Sequence, residues 1–353
     1  MRVFNVMLGW AHGGLEQAAI DYAEMLALNG DKVVTIGHPS GWMREHLPVH
    51  FDFMPLRCWT DYDPIANWRL RSAVQRRRPD VVIAHGTRAM RYIARLSGVK
   101  KIGVLHNTRF KPDMAAMDEF IAVSPRVAEA AAARFPDKSI EIVPNMVRVR
   151  DAVTRPLFRS PPILGSLGRL HRNKGYDVLL QALASPEVRS HPWMFVLGGD
   201  GPERASLEQQ ALALGISDRM RFVGWVSDRH AFFNGLDVFV LPSREEPFGI
   251  VLIEAMAEAL PVIVTDTDGP SFIVRDQATG FVVPRENVDR LAQMISRALE
   301  SSNDMARVGE SGCADIKARF SLPVVASVLK AAVLTLTGRV IVSRAKEERL
   351  GQV

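Results

Sequence analysis

Two series of short apolar runs, each run separated from the next by a helix-like stretch, constrain this chain more than any other feature. RVFNVML, DKVVTIG, PDVVIAHG, KKIGVLHN, EFIAVS and SIEIVPN form the first series, and PPILGSLGRL, WMFVLGGDG, MRFVGWV, DVFVLPS, PVIVTD and GFVVP the second. Strands that alternate with helices need crossover connections, and crossovers make parallel sheets. Between the series, RVRDAVTRPLFRSPP breaks the pattern with prolines and charges, as a linker does. The expectation is an α/β chain of two doubly wound, Rossmann-like domains, residues 1–150 and 151–325, with a C-terminal helical segment, 326–353, apolar enough to pack and with the N-terminal domain as the candidate surface. Ligands of such sheets gather at the carboxyl ends of the strands, so two facing domains predict a site in an inter-domain cleft.

A chain of 353 residues, 47% hydrophobic and 24% charged, suits two domains that each bury a core. Cys58 and Cys313 stand far apart without a CxxC or CxxH neighbour, so neither a disulfide framework nor a zinc site is indicated and no metal is expected. MRVFNVMLGW has the superficial look of a signal peptide. Asn5 interrupts its apolar run and an amphipathic helix, GGLEQAAIDYAEML, follows, so it reads as a first strand, turn and helix. The most apolar later stretch carries Lys330 and Arg339 and is too short and too charged for a membrane span. A cytoplasmic location follows from this reading.

Charge is uneven. Residues 1–150 hold 21 Lys and Arg against 15 Asp and Glu, whereas the remainder holds 23 against 24. Within residues 64–112 twelve basic side chains face the single acid Asp80. With Trp68 nearby, this run predicts either a contact with anionic lipid headgroups, a site for a phosphorylated saccharide, or simply a solvated face. No nucleic-acid recognition motif accompanies the charge.

Two segments carry chemistry. In DVFVLPSREEPFGIVLIEAMAEALPVIVTD, Glu246 precedes Gly249, where a helix should begin, and Glu254 lies eight positions on, inside that helix. The amides around Phe248, Gly249 and Ile250 would meet a phosphate at the helix N-terminus. In LGSLGRLHRNKGYDVLLQAL, Arg169 and Lys174 bracket a loop that leads into a helix, the arrangement of a diphosphate clamp that can stabilise a departing nucleoside diphosphate without magnesium. Taken separately, the two acids also read as a solvated helix face and the two cations as surface charges.

Together and in this order, GGLE, GRLHRNKGYDVLLQAL, GGDGPERASLEQQA and EEPFGIVLIEAMA resemble the retaining GT-B glycosyltransferases of family 4, also called glycosyl transferases group 1. That large family contains mannosyltransferases, sucrose synthase and lipopolysaccharide-core transferases, and the likeness covers nearly the whole chain. It implies a transferase that moves a sugar from a UDP- or GDP-sugar to a saccharide or lipid-linked acceptor, with no cofactor and no metal, in lipopolysaccharide or other surface-polysaccharide synthesis. By the same resemblance Glu246 would touch the donor sugar, Glu254 the ribose, and Arg169 and Lys174 the diphosphate. His106 matches the family's inter-domain histidine beside the transferred sugar. Gly13 and Gly14 match the glycine turn after the first strand, Gly199 a turn near the nucleotide, and Val223 to Trp225 the neighbourhood of the base.

Plainer readings stand beside these. His106 could be a core histidine, His85 in VVIAHGTR is a competing residue at an equivalent strand end, Gly13 and Gly14 could only make a turn, and Trp225 could be packing. Two positions depart from the family pattern. Ser271 and Phe272 stand where a glutamate commonly follows the glycine-proline pair, which loosens the inference about the donor, and Ala259 replaces the usual helix-terminating glycine. The rival functions are a sugar-nucleotide epimerase of the same architecture and a non-catalytic nucleotide-sugar-binding relative. A nicotinamide dehydrogenase is disfavoured, because Arg204 occupies the place of the third glycine of its fingerprint.

Overall fold

The structure is a computed structural model that describes residues 1–10, 13–150, 155 and 158–339. The chain divides into two compact units, one comprising Met1–Asn145 with the C-terminal stretch that begins at Leu322, the other Met146–Ser321. These borders lie a few residues before the 150/151 and 325/326 boundaries read from the sequence. The reason is local: the Val147 amide donates to the Phe320 carbonyl (2.9 Å), and Val147 bridges Ser321, so the residue just before the expected linker and the end of the second unit hold one another. Within the expected linker, residues 151–154, 156 and 157 lie outside the described residues.

The first unit contains a parallel sheet of seven strands, β1 (Arg2–Met7), β2 (Lys32–Gly37), β3 (Asp52–Pro55), β4 (Val81–His85), β5 (Lys100–Leu105), β6 (Glu119–Ala122) and β7 (Ile140–Ile142), in the order β3-β2-β1-β4-β5-β6-β7. Its central strands are apolar because helices cover both faces: every residue of β4 is buried. β3 was not among the runs read from the sequence. It is a four-residue edge strand whose residues are half-buried or exposed, so it lacks the continuous apolar signal. The helix Leu322–Leu336 packs on the helix Gly14–Leu28, where Asn29 Nδ2 donates to the Ala326 carbonyl (2.7 Å), and Arg339 pairs with Asp80 at 2.6 Å.

The second unit contains six parallel strands, β8 (Ile163–Leu167), β9 (Met194–Gly198), β10 (Met220–Gly224), β11 (Val238–Leu241), β12 (Val262–Thr265) and β13 (Phe281–Val283), ordered β10-β9-β8-β11-β12-β13. Leu164, Phe195, Val238, Val240 and Ile263 of the sheet join Trp193 and the helix residues Leu179, Leu183 and Ile295 in one core. In both units the strand order reverses beside the first strand, between β1 and β4 and between β8 and β11. A crevice opens at such a switch point, and the loops leaving its two strands are placed to hold a ligand.

Candidate functional site

Both chemical motifs of the second unit leave its switch-point strands. The loop after β8 carries Arg169 and Lys174, and the loop after β11 carries Glu246. Gly175 joins them: it sits at φ +66, and a Cβ there would lie 2.1 Å from the Pro242 carbonyl, so only glycine lets the two loops approach. The amides of Arg244 and Glu245 donate to the Asn173 carbonyl at 2.8 and 3.2 Å. Arg244 then grips the first loop with its side chain, through two bonds to Asp177 (2.7 and 2.8 Å) and one to the Arg172 carbonyl (2.8 Å). The Arg244 guanidinium holds the Asp177 carboxyl below its ordinary range.

Held in this frame, Lys174 Nζ lies 2.5 Å from Glu246 Oε2, with the two side chains 17% and 10% exposed. Ser243 Oγ is 3.5 Å from the same carboxylate oxygen, and Thr265 Oγ1 donates to the Ser243 carbonyl (2.6 Å). The Glu246 carbonyl accepts from the Gly269 amide at 2.8 Å, which anchors its backbone as well. Arg169 is exposed and, among the described residues, has no carboxylate within ion-pair distance. Gly199, at φ +116, would place a Cβ 1.9 Å from the Gly168 carbonyl, so the GGDG turn lies directly against the backbone that bears Arg169.

The helix Ile250–Ala257 begins after Gly249, whose φ of +98 is a left-handed N-cap. Among the described residues the amides of Phe248, Gly249 and Ile250 donate to no acceptor of the protein. Three free donors at a helix N-terminus three residues from Glu246 form a place for an anion. Inside the helix, Glu254 receives Arg229 Nη1 on both carboxylate oxygens at 2.6 Å, and burial pushes its carboxyl up while Arg229 and Arg148 pull it down. Arg229 was missed in the sequence, where nothing marks it. Val223 and Trp225 lie on the strand β10 and just beyond it, both exposed, at 48% and 59%. Phe272, at the position of the family departure, is packed rather than open: its ring lies edge-on to Phe320 at 5.9 Å and Arg319 sits over it.

In the first unit His85 and His106 are not competitors but neighbours. His85 is the last residue of β4 and buried, while His106 follows β5 and is partly exposed; His85 Nδ1 and His106 Nε2 are 3.4 Å apart, and His85 Nε2 is 2.9 Å from Asn5 Oδ1. Burial, with His106 adding to it, lowers His85 well below the ordinary histidine range, and burial holds His106 down to about 4. Gly13 caps the helix that starts at Gly14, in extended backbone. The space beside it belongs to the buried carboxylate of Glu16: a Cβ at Gly13 would lie 3.1 Å from Glu16 Oε2, and one at Gly9 2.4 Å from Oε1. Glu16 belongs to the GGLE run but was given no role there.

The basic run of residues 64–112 is less of a patch than its sequence suggests. Arg77 pairs with Asp52, Arg88 and Arg91 with Asp61, Arg91 also with Asp113, Lys100 with Glu119 and Lys101 with Asp118. Every one of these acids lies outside 64–112, which is why a count along the chain overstated the local charge. The more unusual surface is just upstream. An open cavity of about 380 Å³ lies where β2 and β3 end, lined by Pro39, Arg57, Trp59, Asp63, Ile65 and Arg69. Trp59 and nearby Trp68 are 75% and 67% exposed.

Among the described residues no group of three or more His, Cys, Asp or Glu side chains is arranged to hold a metal ion, and no helix is long and apolar enough to cross a membrane. Residues 152–314 match the family model described as glycosyl transferases group 1, and residues 12–151 match that of glycosyltransferase family 4, so the two span most of the chain. The chain is 28% identical over 331 residues to the lipopolysaccharide core biosynthesis glycosyltransferase LpsE of Rhizobium meliloti, covering 88% of this chain and 92% of that one. It is 27% identical to the alpha-D-kanosaminyltransferase of Streptomyces kanamyceticus, covering 88% and 73%. Its fold matches that of Anabaena Alr3699/HepE, solved in complex with UDP and glucose, with a TM-score of 0.78 at 20% identity over 95% of this chain and 99% of that one. The loops at the second switch point and the paired family matches agree: this chain is a GT-B glycosyltransferase and belongs to the family 4, group 1 class.

Proposed function

We propose that the chain transfers a sugar, with retention of its anomeric configuration and without a metal, from a UDP- or GDP-sugar to a saccharide or lipid-linked acceptor in lipopolysaccharide or other surface-polysaccharide synthesis. The observation that carries the donor part is the frame that sets Lys174, Glu246 and the amides of Phe248, Gly249 and Ile250, free among the described residues, around one place, with exposed Arg169 on the adjoining loop. The diphosphate would take Arg169, Lys174 and the helix N-terminus, while Glu246 turns to the sugar hydroxyls. Glu254, in concert with Arg229, would take the ribose, Gly199 would border the nucleotide and Val223 the base. From the first unit, His106 would meet the transferred sugar, with the Gly13–Gly14 turn beside it. The acceptor hydroxyl would attack the anomeric carbon from the face the diphosphate leaves, and a leaving phosphate oxygen would take its proton. The protein then supplies position and electrostatic stabilisation of the departing charge rather than a nucleophile.

The names of the relatives support the acceptor class: LpsE, and also the LpcC mannosyltransferase of Rhizobium leguminosarum, are described as enzymes of lipopolysaccharide core biosynthesis. The exposed Trp59, Ile65 and Trp68, set among Arg57 and Arg69, suit a peripheral contact with an anionic membrane on its cytoplasmic side, where such an acceptor would be presented. Titration calorimetry with UDP, GDP and ADP in the presence of EDTA tests the donor site. Selective binding of one diphosphate, lost in Lys174→Ala, is the expected result, and binding of none removes the proposal. NMR of the glycosylated product reads the anomeric outcome, and an inverted product would refute retention.

A further inference from the structure

A line of hydrogen bonds in the first unit decides which nitrogen of His106 carries its proton. It starts at the carbonyl of Ala19, which can only accept, so the Asn5 side-chain atom 2.7 Å from it is the amide nitrogen. That leaves Asn5 Oδ1 facing His85, and an amide oxygen can only accept as well. Nε2 of His85, 2.9 Å away, therefore carries a hydrogen. Asn5 and His85 are 0% and 1% exposed, the His85 ring lies edge-on to Tyr22 with centroids 4.6 Å apart, and among the described residues no carboxylate touches it. An imidazolium buried there would lack a counter-charge, so the ring is neutral and its Nδ1 bears a lone pair. The hydrogen in the 3.4 Å gap to His106 Nε2 must then come from His106. The lowered proton affinity of both rings agrees with this assignment.

We propose that Asn5 and His85 are positioning residues that hold His106 in its Nε2–H form and so present Nδ1 as a fixed hydrogen-bond acceptor for a hydroxyl of the transferred sugar. Among the described residues Nδ1 of His106 has no partner of its own. The inference rests on the reading of His106 as a sugar contact, and it adds a selection rule to that reading. A sugar with a hydroxyl at the contacted carbon donates to Nδ1. A deoxy sugar leaves the lone pair unanswered, and a uronate sets its own negative oxygens against it. Losing one neutral hydrogen bond of this kind weakens binding roughly tenfold.

The test uses the full chain labelled with ¹⁵N-histidine and long-range ¹H–¹⁵N spectra near neutral pH, which separate protonated from lone-pair ring nitrogens; His106→Asn and His85→Phe assign the signals. Both rings are expected as Nε2–H. A proton on Nδ1 of His106, or an averaged mixture, overturns the relay in the unmodified protein, whatever the variants do. In Asn5→Leu, where the first acceptor is gone, the His106 signals are expected to become a mixture and the affinity for the NDP-sugar to fall roughly tenfold while that for the NDP is unchanged. An unaltered His106 form in that variant overturns the relay too. Signals that ignore every NDP-sugar added, with the Nε2–H forms in place, instead remove His106 from the sugar site, the reading on which this one stands.

Discussion

Replacing Glu246 by glutamine should tighten the binding of the nucleoside diphosphate while abolishing most transfer. The Lys174 ammonium lies 2.5 Å from the Glu246 carboxylate, and the diphosphate must draw on the same cation. Glutamine keeps the shape and an oxygen acceptor but removes a negative charge close to where phosphate oxygens would lie, and it loosens the hold on Lys174. Both effects act in the same direction. With an effective dielectric constant near 20 and charges about 8 Å apart, the gain is about 2 kcal/mol, roughly a thirtyfold lower Kd. Lys174→Met acts in the opposite sense, by deleting a charged hydrogen bond worth about 1.5–3 kcal/mol, a weakening of roughly 10- to 150-fold. It should also destabilise the free protein, because among the described residues the mostly buried Glu246 side chain keeps Ser243 Oγ alone, 3.5 Å away. Calorimetric titration with the diphosphate, and then with the diphosphate sugar, separates the phosphate from the sugar contribution, and the double variant closes the cycle. Weaker diphosphate binding in Glu246→Gln would refute the argument, as would an unchanged Kd in Lys174→Met.

Other outcomes follow from the same structure. Gly199→Ala combines a left-handed backbone with a Cβ 1.9 Å from the Gly168 carbonyl, and a loss of about 3 kcal/mol in thermal unfolding is expected, together with weakened diphosphate binding as the Arg169 loop shifts. The folded-state pKa values of His106, about 4, and His85 lie below the unfolded value near 6.5, so the unfolded chain binds more protons in that window and stability falls as pH drops from 6.5 towards 4. Urea midpoints against pH should show a shallower fall in His106→Asn than in the unmodified chain; parallel curves would contradict the assignment. Trp59→Ser with Trp68→Ser should reduce sedimentation with vesicles containing anionic lipid and leave diphosphate binding unchanged, and equal sedimentation would end the membrane proposal.

Much of the fold was legible because parallel strands covered on both faces read as apolar runs, and twelve of the thirteen strands among the described residues lie within the runs read from the sequence, although the edge strands β7 and β10 carry Glu141 and Arg221 and are partly exposed. β3 does not, because Asp52 and its neighbours face water on an edge. Of the site, the residues set by local backbone demands were readable: Gly249 begins its helix where the glycine stands, and Gly199 occupies a turn that a side chain would break. What could not be read is whatever depends on partners distant in sequence. Asn5, His85 and His106 are separated by 80 and 21 residues and meet only because β1, β4 and β5 lie side by side. Arg229 reaches Glu254 across 25 residues with no motif to mark it. The charge of residues 64–112 was misjudged for the same reason, since its counter-ions come from Asp52, Asp61, Asp113, Asp118 and Glu119.

The same distinction says where the donor site is most vulnerable. The Lys174–Glu246 contact is not what brings its two loops together, because the backbone bonds from Arg244 and Glu245 to Asn173, the close approach at Gly175 and the Arg244 fork on Asp177 do that without it. Substitutions at Glu246 should therefore report on charge, with the loops left in place. Arg244→Ala should do the reverse. It touches neither the phosphate nor the sugar in the proposed arrangement, yet it removes a two-pronged charged contact worth about 2 kcal/mol and leaves the half-exposed Asp177 to water. Both the affinity for the diphosphate and the rate of transfer should fall together, with thermal stability lowered by a similar amount. Because Asp177 is held below its ordinary range by Arg244, the contact is intact above the carboxylate's unfolded pKa near 3.8 and lost only as pH falls through the lower folded value, so the defect should be the same across neutral pH. A variant that binds the diphosphate normally but transfers slowly would show that Arg244 serves the chemistry directly and that the loops are held by their backbones alone.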